Sequence, residues 1–136
     1  MATGLSQVVD SLRSKGIDPI MFGRTVIFNR PVPDLVMEYG KIDGVDLYVN
    51  NHILDTEKLT SFLKNLAQEK RIKYIDKQEL LCPKNKCTVL SKRRGHLIFL
   101  DRSHWTLDGA REFSIRLKKK YPNLDTLLTR KQISLH

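Results

Sequence analysis

Apolar positions along the first part of the chain follow helical spacing and then strand spacing. A 3.6-residue spacing predicts a first helix over Leu5–Lys15, which stops at Gly16. The apolar run Ile20–Phe28 predicts a buried strand that is interrupted by a glycine. Pro31 and Pro33 cannot donate to a sheet ladder, so we expect a loop to leave the end of that strand. In an open α/β sheet this is the edge where ligands bind.

The middle of the chain contains one ambiguous stretch and two clearer elements. Residues 34–54 have no single period, although Val45–Val49 alternates like a short strand. Thr56–Lys70 carries one apolar stripe and predicts a second helix, which the Thr56 side chain can cap. Ile72–Asp76 alternates between apolar and polar residues and predicts another strand.

The last third of the chain predicts a hairpin followed by a helix. The hairpin spans Thr88–Leu100, turns at Arg94 and Gly95, and ends in an apolar run. A third helix begins at the cap residue Thr106 and ends at Pro122. The residues available for its buried side are Leu107, Ala110, Phe113, Ile115 and Leu117. Strands alternating with helices predict an α/β fold, a three-layer sandwich with a small, mainly parallel sheet, in one domain over residues 1–136.

Composition and charge narrow the classes of function. With 136 residues, 40% of them hydrophobic and 29% charged, the chain suits one folded domain rather than a disordered tail. It has no apolar run of about 20 residues that could span a bilayer, and Met1–Ser6 lacks the pattern of a secretory signal. The net charge of +9 admits an anionic partner such as nucleic acid, anionic lipid or a polyanionic glycan. The excess cations lie mostly in Lys92–Arg94, Lys118–Lys120, Arg130 and Lys131, where they also fit an ordinary solvated surface.

Asp101 and His104 are the pair most suited to chemistry. They follow the last predicted strand and lie just ahead of a helix start. An aspartate beside a histidine can fix the tautomer of the imidazole and stabilise its protonated form. The alternative is that both side chains merely close the loop. The sequence contains no phosphate-binding loop, dinucleotide fingerprint or His-Glu-x-x-His motif, so we expect neither a cofactor nor a metal.

The residues around this pair resemble a known family. Arg71–Cys82, Cys87 and Leu97–Ala110 are similar to the last third of an SGNH hydrolase domain, in the form fused to membrane acyltransferases (acyltransferase family 3) that O-acylate bacterial surface polysaccharides. The resemblance is close over residues 71–117 and loose over most of the rest. The residues that match the motif bearing the family's catalytic aspartate and histidine are Phe99, Asp101, His104, Trp105, Thr106, Gly109 and Ala110.

The resemblance implies roles for the histidine and the aspartate. His104 would be the general base towards a serine, and Asp101 its orienting partner. Trp105 would flank a substrate acyl group or sugar ring, although a helix-entry aromatic is an equally good interpretation. The family's Gly-Asp-Ser nucleophile segment is not present, and Ser6, in the nearest similar string, has no preceding strand. We therefore expect an SGNH-like domain truncated at its N-terminus and inactive alone, because a His–Asp pair has nothing to activate without a nucleophile.

Cys82 and Cys87 leave three interpretations open. A disulfide closing a short loop agrees with the resemblance and with an extracytoplasmic, periplasmic location. The pair could also be two reduced cysteines of a cytosolic protein. A zinc site with His96 and His104 is the third interpretation, although its spacing fits no familiar finger.

The resemblance favours ester chemistry on carbohydrate hydroxyls, by O-acyl transfer or deacylation, with a membrane acyltransferase domain as partner. Two other functions stay open. One is a basic, non-enzymatic module that binds nucleic acid or another polyanion through Lys92–Arg94 and Lys118–Lys120. The other is a degenerate domain that serves as a partner-binding scaffold.

Overall fold

A computed structural model describes residues 2–93 and 95–126. Arg94, Arg130 and Lys131 of the basic surface predicted above lie outside these residues. The two strands are β1 (Ile20–Phe22) and β2 (Lys73–Ile75), and a short 3-10 turn spans Pro83–Asn85. The helices are α1 (Ala2–Ser14), α2 (Val32–Tyr39), α3 (Val45–Asn50), α4 (Glu57–Glu69), α5 (Lys77–Leu81) and α6 (Leu107–Lys120). None of these helices, within the residues described, is long and apolar enough to cross a membrane.

A small parallel sheet separates two helical layers. Strands β1 and β2 pair in parallel, with Met21 opposite Tyr74. Because side chains alternate between the faces of a strand, these two point to one face, where they pack with residues of α1 and α4. Ile20 and Ile75 point to the other face and pack with residues of α5 and α6. The predicted three-layer α/β architecture with a small parallel sheet is therefore confirmed.

The largest apolar cluster lies beside this sheet. It joins α2 and α3 to residues 26–28 after β1 and to residues 81–99 before the Asp101 loop. Its largest members include Phe28, Leu35 and Phe99. The rings of Phe28 and Phe99 meet edge to face, with their centroids 5.0 Å apart. Phe99 precedes Asp101 by two residues, so this core anchors the loop that carries the candidate residues.

The predicted strand Ile20–Phe28 is much shorter in the structure. Gly23 donates its backbone N–H to the carbonyl of Ile75 (2.8 Å), but the chain then leaves β2. Phe28 instead bridges Ile53 and donates its N–H to Arg102, so the second half of the apolar run is buried without extending the sheet. Apolar content alone does not distinguish a strand buried in a sheet from an irregular segment buried in the core.

The short strand suggested for Val45–Val49 is wrong, because these residues form α3. Val45 and Val49 are both buried, while Leu47 between them is exposed. Positions four apart share a face in a helix and also in a strand, so the pattern fitted both. The loop predicted over Asn29–Pro33 is also shorter than expected, because α2 begins at Val32 and Pro33 lies in its first turn, where a missing N–H costs little.

The predicted helices at both ends and in the middle of the chain are confirmed, with differences in detail. Thr106 caps α6 by accepting from the N–H of Gly109, whereas Thr56 makes no cap bond to α4 and donates to Gln78 instead. Of the residues expected on the buried side of α6, Leu107, Ala110 and Ile115 are exposed.

The hairpin is reduced to a short antiparallel pairing. Leu90 bridges Leu97, and Ser91 donates its backbone N–H to the carbonyl of His96 (2.7 Å), without regular strands. Of the predicted turn residues, Gly95 has a φ of +66°, which suits a turn, and Arg94 lies outside the described residues.

Candidate active site

Backbone hydrogen bonds attach the loop between Phe99 and α6 to the segment that follows β1. The carbonyl of Arg102 accepts from the N–H of Phe28 at 2.9 Å, and the carbonyl of Asp101 accepts from Val32 at 3.2 Å. The Arg102 side chain completes the connection, because its Nε donates to the carbonyl of Phe28 at 2.9 Å. The position of Asp101 is thus fixed by residues about seventy positions earlier in the chain.

Contacts of Trp105 place this loop near the carboxyl ends of both strands. The indole Nε1 donates to Oγ1 of Thr25 at 3.0 Å, and the Lys77 ammonium lies 5.9 Å from the indole centroid. Thr25 follows the end of β1 by three residues, and Lys77 follows the end of β2 by two. This is the edge of an α/β sheet at which ligands bind.

At this edge Asp101 and His104 form a hydrogen-bonded pair. The Nδ1 of His104 lies 2.7 Å from Oδ2 of Asp101. The other carboxylate oxygen accepts the backbone N–H groups of His104 (2.9 Å) and Ser103 (2.8 Å). These two backbone bonds, followed by the bond from the imidazole, stabilise the charged carboxylate and lower the pKa of Asp101 to about 2.

The other ring nitrogen of His104 faces solvent. The His104 side chain is 77% exposed, and no group among the described residues bonds to its Nε2. In a neutral imidazole, donation from Nδ1–H to a carboxylate leaves Nε2 without a proton, so that it can accept one. The arrangement can therefore supply a general base to a hydroxyl group that approaches from outside.

The structure does not bring Ser6 to this pair. Ser6 lies in α1, whose buried side packs on the face of the sheet opposite α6. No contact joins Ser6 to His104 in the part of the chain that the structure describes.

Trp105 is half-buried at the start of α6. Its ring lies against that of Phe113, with the centroids 4.6 Å apart. The indole therefore packs against α6 at the start of that helix. Part of the ring remains exposed, and Trp105 directly follows His104 in the chain.

Cys82 and Cys87 are joined in a disulfide, and both are almost completely buried. Their sulfurs are therefore not free to ligate zinc. His96 pairs with Asp108 at 2.8 Å, so it belongs to a different pair from His104 and Asp101. Over residues 2–93 and 95–126, no group of three or more His, Cys, Asp or Glu side chains could hold a metal ion.

The candidate polyanion surface is only partly described. Lys118, Lys119 and Lys120 are exposed in the last turn of α6, and Lys92 and Arg93 are exposed in the turn after Ser91. Lysines at the C-terminal end of a helix also interact favourably with the helix dipole.

Thr25 and Arg102 also belong to the site, although nothing in the sequence indicated it. Both act through partners 80 and 74 residues away, so no local pattern could have revealed them. Position 109 requires a glycine, because a Cβ there would collide with the carbonyl oxygen of Ile98.

Comparisons with known proteins identify the family and the fold. A family model described as an SGNH domain (fused to AT3 domains) matches residues 2–119, which include Asp101 and His104. The fold is similar to the solved periplasmic domain of the lipopolysaccharide acetyltransferase of Salmonella ser. Paratyphi A, with a TM-score of 0.71 and 16% sequence identity. That match covers 87% of this chain and 48% of the other, so the chain spans about half the length of the solved domain. No curated protein sequence matches the chain.

Proposed function

The chain belongs to the family of SGNH domains that are fused to AT3 domains, and from this we propose that it takes part in ester chemistry on carbohydrate hydroxyls. The reaction would be O-acyl transfer or the related deacylation. One observation carries the proposal, namely the 2.7 Å bond between His104 Nδ1 and Asp101 Oδ2 near the carboxyl edge of the sheet. The exposed Nε2 side of the same ring is where a reacting hydroxyl would approach.

The chemistry assigned to the pair is proton transfer. His104 Nε2 takes the proton of a serine hydroxyl as its oxygen attacks the ester carbonyl, and the imidazolium then returns a proton to the leaving alkoxide. The resulting acyl-serine is attacked by a sugar hydroxyl or by water, and His104 repeats the two proton transfers. Asp101 holds the ring and stabilises its positive charge, and its low pKa keeps it a carboxylate throughout.

The serine is assigned to a segment outside residues 1–136. In support, the chain spans about half of the solved domain that it resembles, and Ser6 has no contact with His104 in the described residues. We therefore expect the chain by itself to be a poor catalyst, since its general base has no nucleophile to activate.

An extracytoplasmic location and a membrane acyltransferase partner complete the proposal. The family is fused to AT3 domains, and the structural neighbour is a periplasmic domain. The disulfide between Cys82 and Cys87 suits an oxidising compartment.

The test measures p-nitrophenyl acetate turnover by two proteins, the chain alone and the chain preceded by a strand and Gly-Asp-Ser segment. We expect a low rate for the first and a higher rate for the second. In the second protein, His104→Ala should lower the rate by roughly 10²–10⁴-fold, the usual contribution of a general base.

His96→Ala is the matched control, because His96 forms a similar 2.8 Å pair with Asp108 that includes neither Asp101 nor His104. Its rate should equal that of the parent. Equal rates for the parent and His104→Ala in both proteins would remove His104 from the mechanism.

A second candidate function, binding of a polyanion such as nucleic acid, is favoured by one concave surface. Lys86, Arg116, Lys119 and Lys120 line a groove of about 690 Å³ between the disulfide loop and α6. Binding there would weaken steeply with salt, because each neutralised phosphate releases counterions, and it would be indifferent to His104→Ala. Salt-independent association with a polyanion would exclude this candidate.

A further inference from the structure

A polar cleft lies at the carboxyl end of β2 and takes no part in the proton transfers described above. Its walls are the N-terminal half of α4, residues 50–56 and the start of α5, and its volume is about 620 Å³. Small-molecule sites commonly enclose roughly 300–1,000 Å³. Its position at the end of β2 again corresponds to the ligand-binding edge of the sheet.

The side chains of the cleft are suited to hydroxyl groups. They comprise three hydroxyls, three amides, four carboxylates and one lysine, against two apolar side chains. Amides donate and accept, and carboxylates accept, which matches a ligand whose many O–H groups do both. In a chain of net charge +9, the excess of carboxylates over cations in this cleft disfavours an anionic ligand.

Internal bonds hold these groups in fixed positions. Gln78 accepts from the Thr56 hydroxyl at 3.3 Å and donates to Oδ1 of Asn85 at 2.8 Å. Asp76 accepts from the N–H of Glu79 and pairs with Lys64 at 3.0 Å. Side chains that are already ordered lose little entropy when a ligand binds.

The disulfide loop contributes one wall of this network. Asn85 lies between Cys82 and Cys87, with a φ of +57°. Asn50, which also lines the cleft, holds the same loop, since its side chain both accepts from the N–H of Cys87 (3.0 Å) and donates to its carbonyl (3.4 Å). No described residue accepts from the amide nitrogen of Asn85, which is left to bind a ligand.

Backbone pairings connect the wall of the cleft to the loop that carries the catalytic pair. Ile53, in its wall, bridges Phe28, and Phe28 in turn bonds to Arg102 beside Asp101. Two such backbone steps of about 4.8 Å place the backbones of Ile53 and Arg102 within about 10 Å of each other. A short oligosaccharide covers this distance.

From these observations we propose that the cleft is a binding site for a neutral sugar unit of the glycan on which His104 acts. The inference rests on the proposed function, because that function is what makes a glycan the substrate. The sugar would bind through its hydroxyls to Gln78, Asn85 and the α4 hydroxyls, while the esterified unit reaches His104.

In the experiment, the ¹⁵N-labelled chain is titrated with free D-glucose, D-galactose or D-mannose, each up to a high millimolar concentration. We expect at least one sugar to shift the side-chain amide signals of Gln78 and Asn85 with a Kd in the millimolar range, which corresponds to only about −4 kcal/mol at 1 mM. Ser61→Trp places an indole in the cleft from an exposed position of α4 and should weaken binding at least about tenfold, or about 1.4 kcal/mol.

Lys58→Trp is the matched control, because Lys58 is exposed on the same helix but does not line the cleft. It should leave the Kd unchanged. Absence of shifts with all three sugars, shifts that spread away from the cleft, or equal binding by Ser61→Trp would overturn the proposal. Calcium chloride reproducing the shifts without any sugar response would also overturn it, since the carboxylates would then form a cation site.

This outcome is separable from that of the proposed function. His104→Ala should bind the sugar as the parent does, because His104 does not line the cleft. Loss of turnover in His104→Ala without sugar binding by the parent would refute the cleft and leave the proposed reaction standing.

Discussion

Asp101 shows how one carboxylate can organise a whole loop. Its Oδ1 closes the turn by accepting two backbone N–H groups, and its Oδ2 remains for the imidazole of His104. The position of the two residues in a tight connection between a strand and a helix made this contact predictable, because an aspartate that closes such a turn brings residue i+3 beside itself. The anchoring of the turn by Arg102 was not predictable, since its acceptor lies 74 residues away.

The low pKa of Asp101 predicts a pH dependence of stability. The pKa is about 2 in the folded chain and about 3.9 in an unfolded one. The native contacts of the charged carboxylate thus stabilise the fold above about pH 4, and this contribution is lost as the pH falls towards 2. Asp101→Asn lacks it at every pH.

Urea unfolding followed by circular dichroism at several pH values tests this expectation. The difference in unfolding free energy between the parent and Asp101→Asn should be largest above about pH 4 and shrink towards about pH 2. A difference that stays constant over this range would contradict the assignment.

At the scale of elements, the start of α6 is set by two neighbouring features. Thr106 accepts from the N–H of Gly109 and donates to the carbonyl of Leu97 at 2.5 Å. Gly109 lets the first turn approach the carbonyl of Ile98 more closely than any side chain would allow. The cap could be predicted from the sequence, whereas the close approach could not, because it depends on how the helix packs.

Gly109→Ala should therefore destabilise the chain, even though alanine favours helices. The added Cβ would collide with the Ile98 carbonyl and crowd Trp105, and overpacking of this kind costs roughly 1–3 kcal/mol. Gly4→Ala is the control, since Gly4 is also helical and a Cβ there meets nothing within 4 Å. It should stabilise the chain by up to about 1 kcal/mol.

Urea unfolding midpoints of the two glycine variants give the comparison. We expect shifts of opposite sign. A stabilising effect of Gly109→Ala would mean that α6 can move away from Ile98 without cost.

At the scale of the molecule, the layered architecture was predictable because each long helix carries an apolar stripe and each strand a short apolar run. The largest apolar cluster, around Phe28 and Phe99, was not predictable. It is built from irregular segments and from α2 and α3, where the sequence pattern was ambiguous. The candidate site lies where this core meets the sheet. Its location therefore depends on contacts that only the folded chain brings together.

The disulfide between Cys82 and Cys87 is part of the largest apolar cluster. Both sulfurs belong to the cluster and are buried, so reductant should reach them slowly in the native state. Replacing Cys82 and Cys87 together by alanine removes a six-residue loop closure, which lowers the unfolding free energy by about 2 kcal/mol in the chain-entropy model.

Thiol titration and urea unfolding test these two expectations. The native chain should react slowly with dithiothreitol and the urea-unfolded chain rapidly. Equal reactivity in both states would show that the disulfide is accessible, and an unchanged unfolding free energy in the double variant would show that it contributes nothing to stability.

Trp105 is the only tryptophan in the sequence, and its indole touches Phe113, bonds to Thr25 and lies next to His104 in the chain. Its intrinsic fluorescence therefore comes from one known location at the carboxyl edge of the sheet. Emission wavelength and quenching will report on solvent entry and on acyl or sugar groups near His104 without any attached dye. The chain carries its own optical probe at the place where its chemistry is proposed.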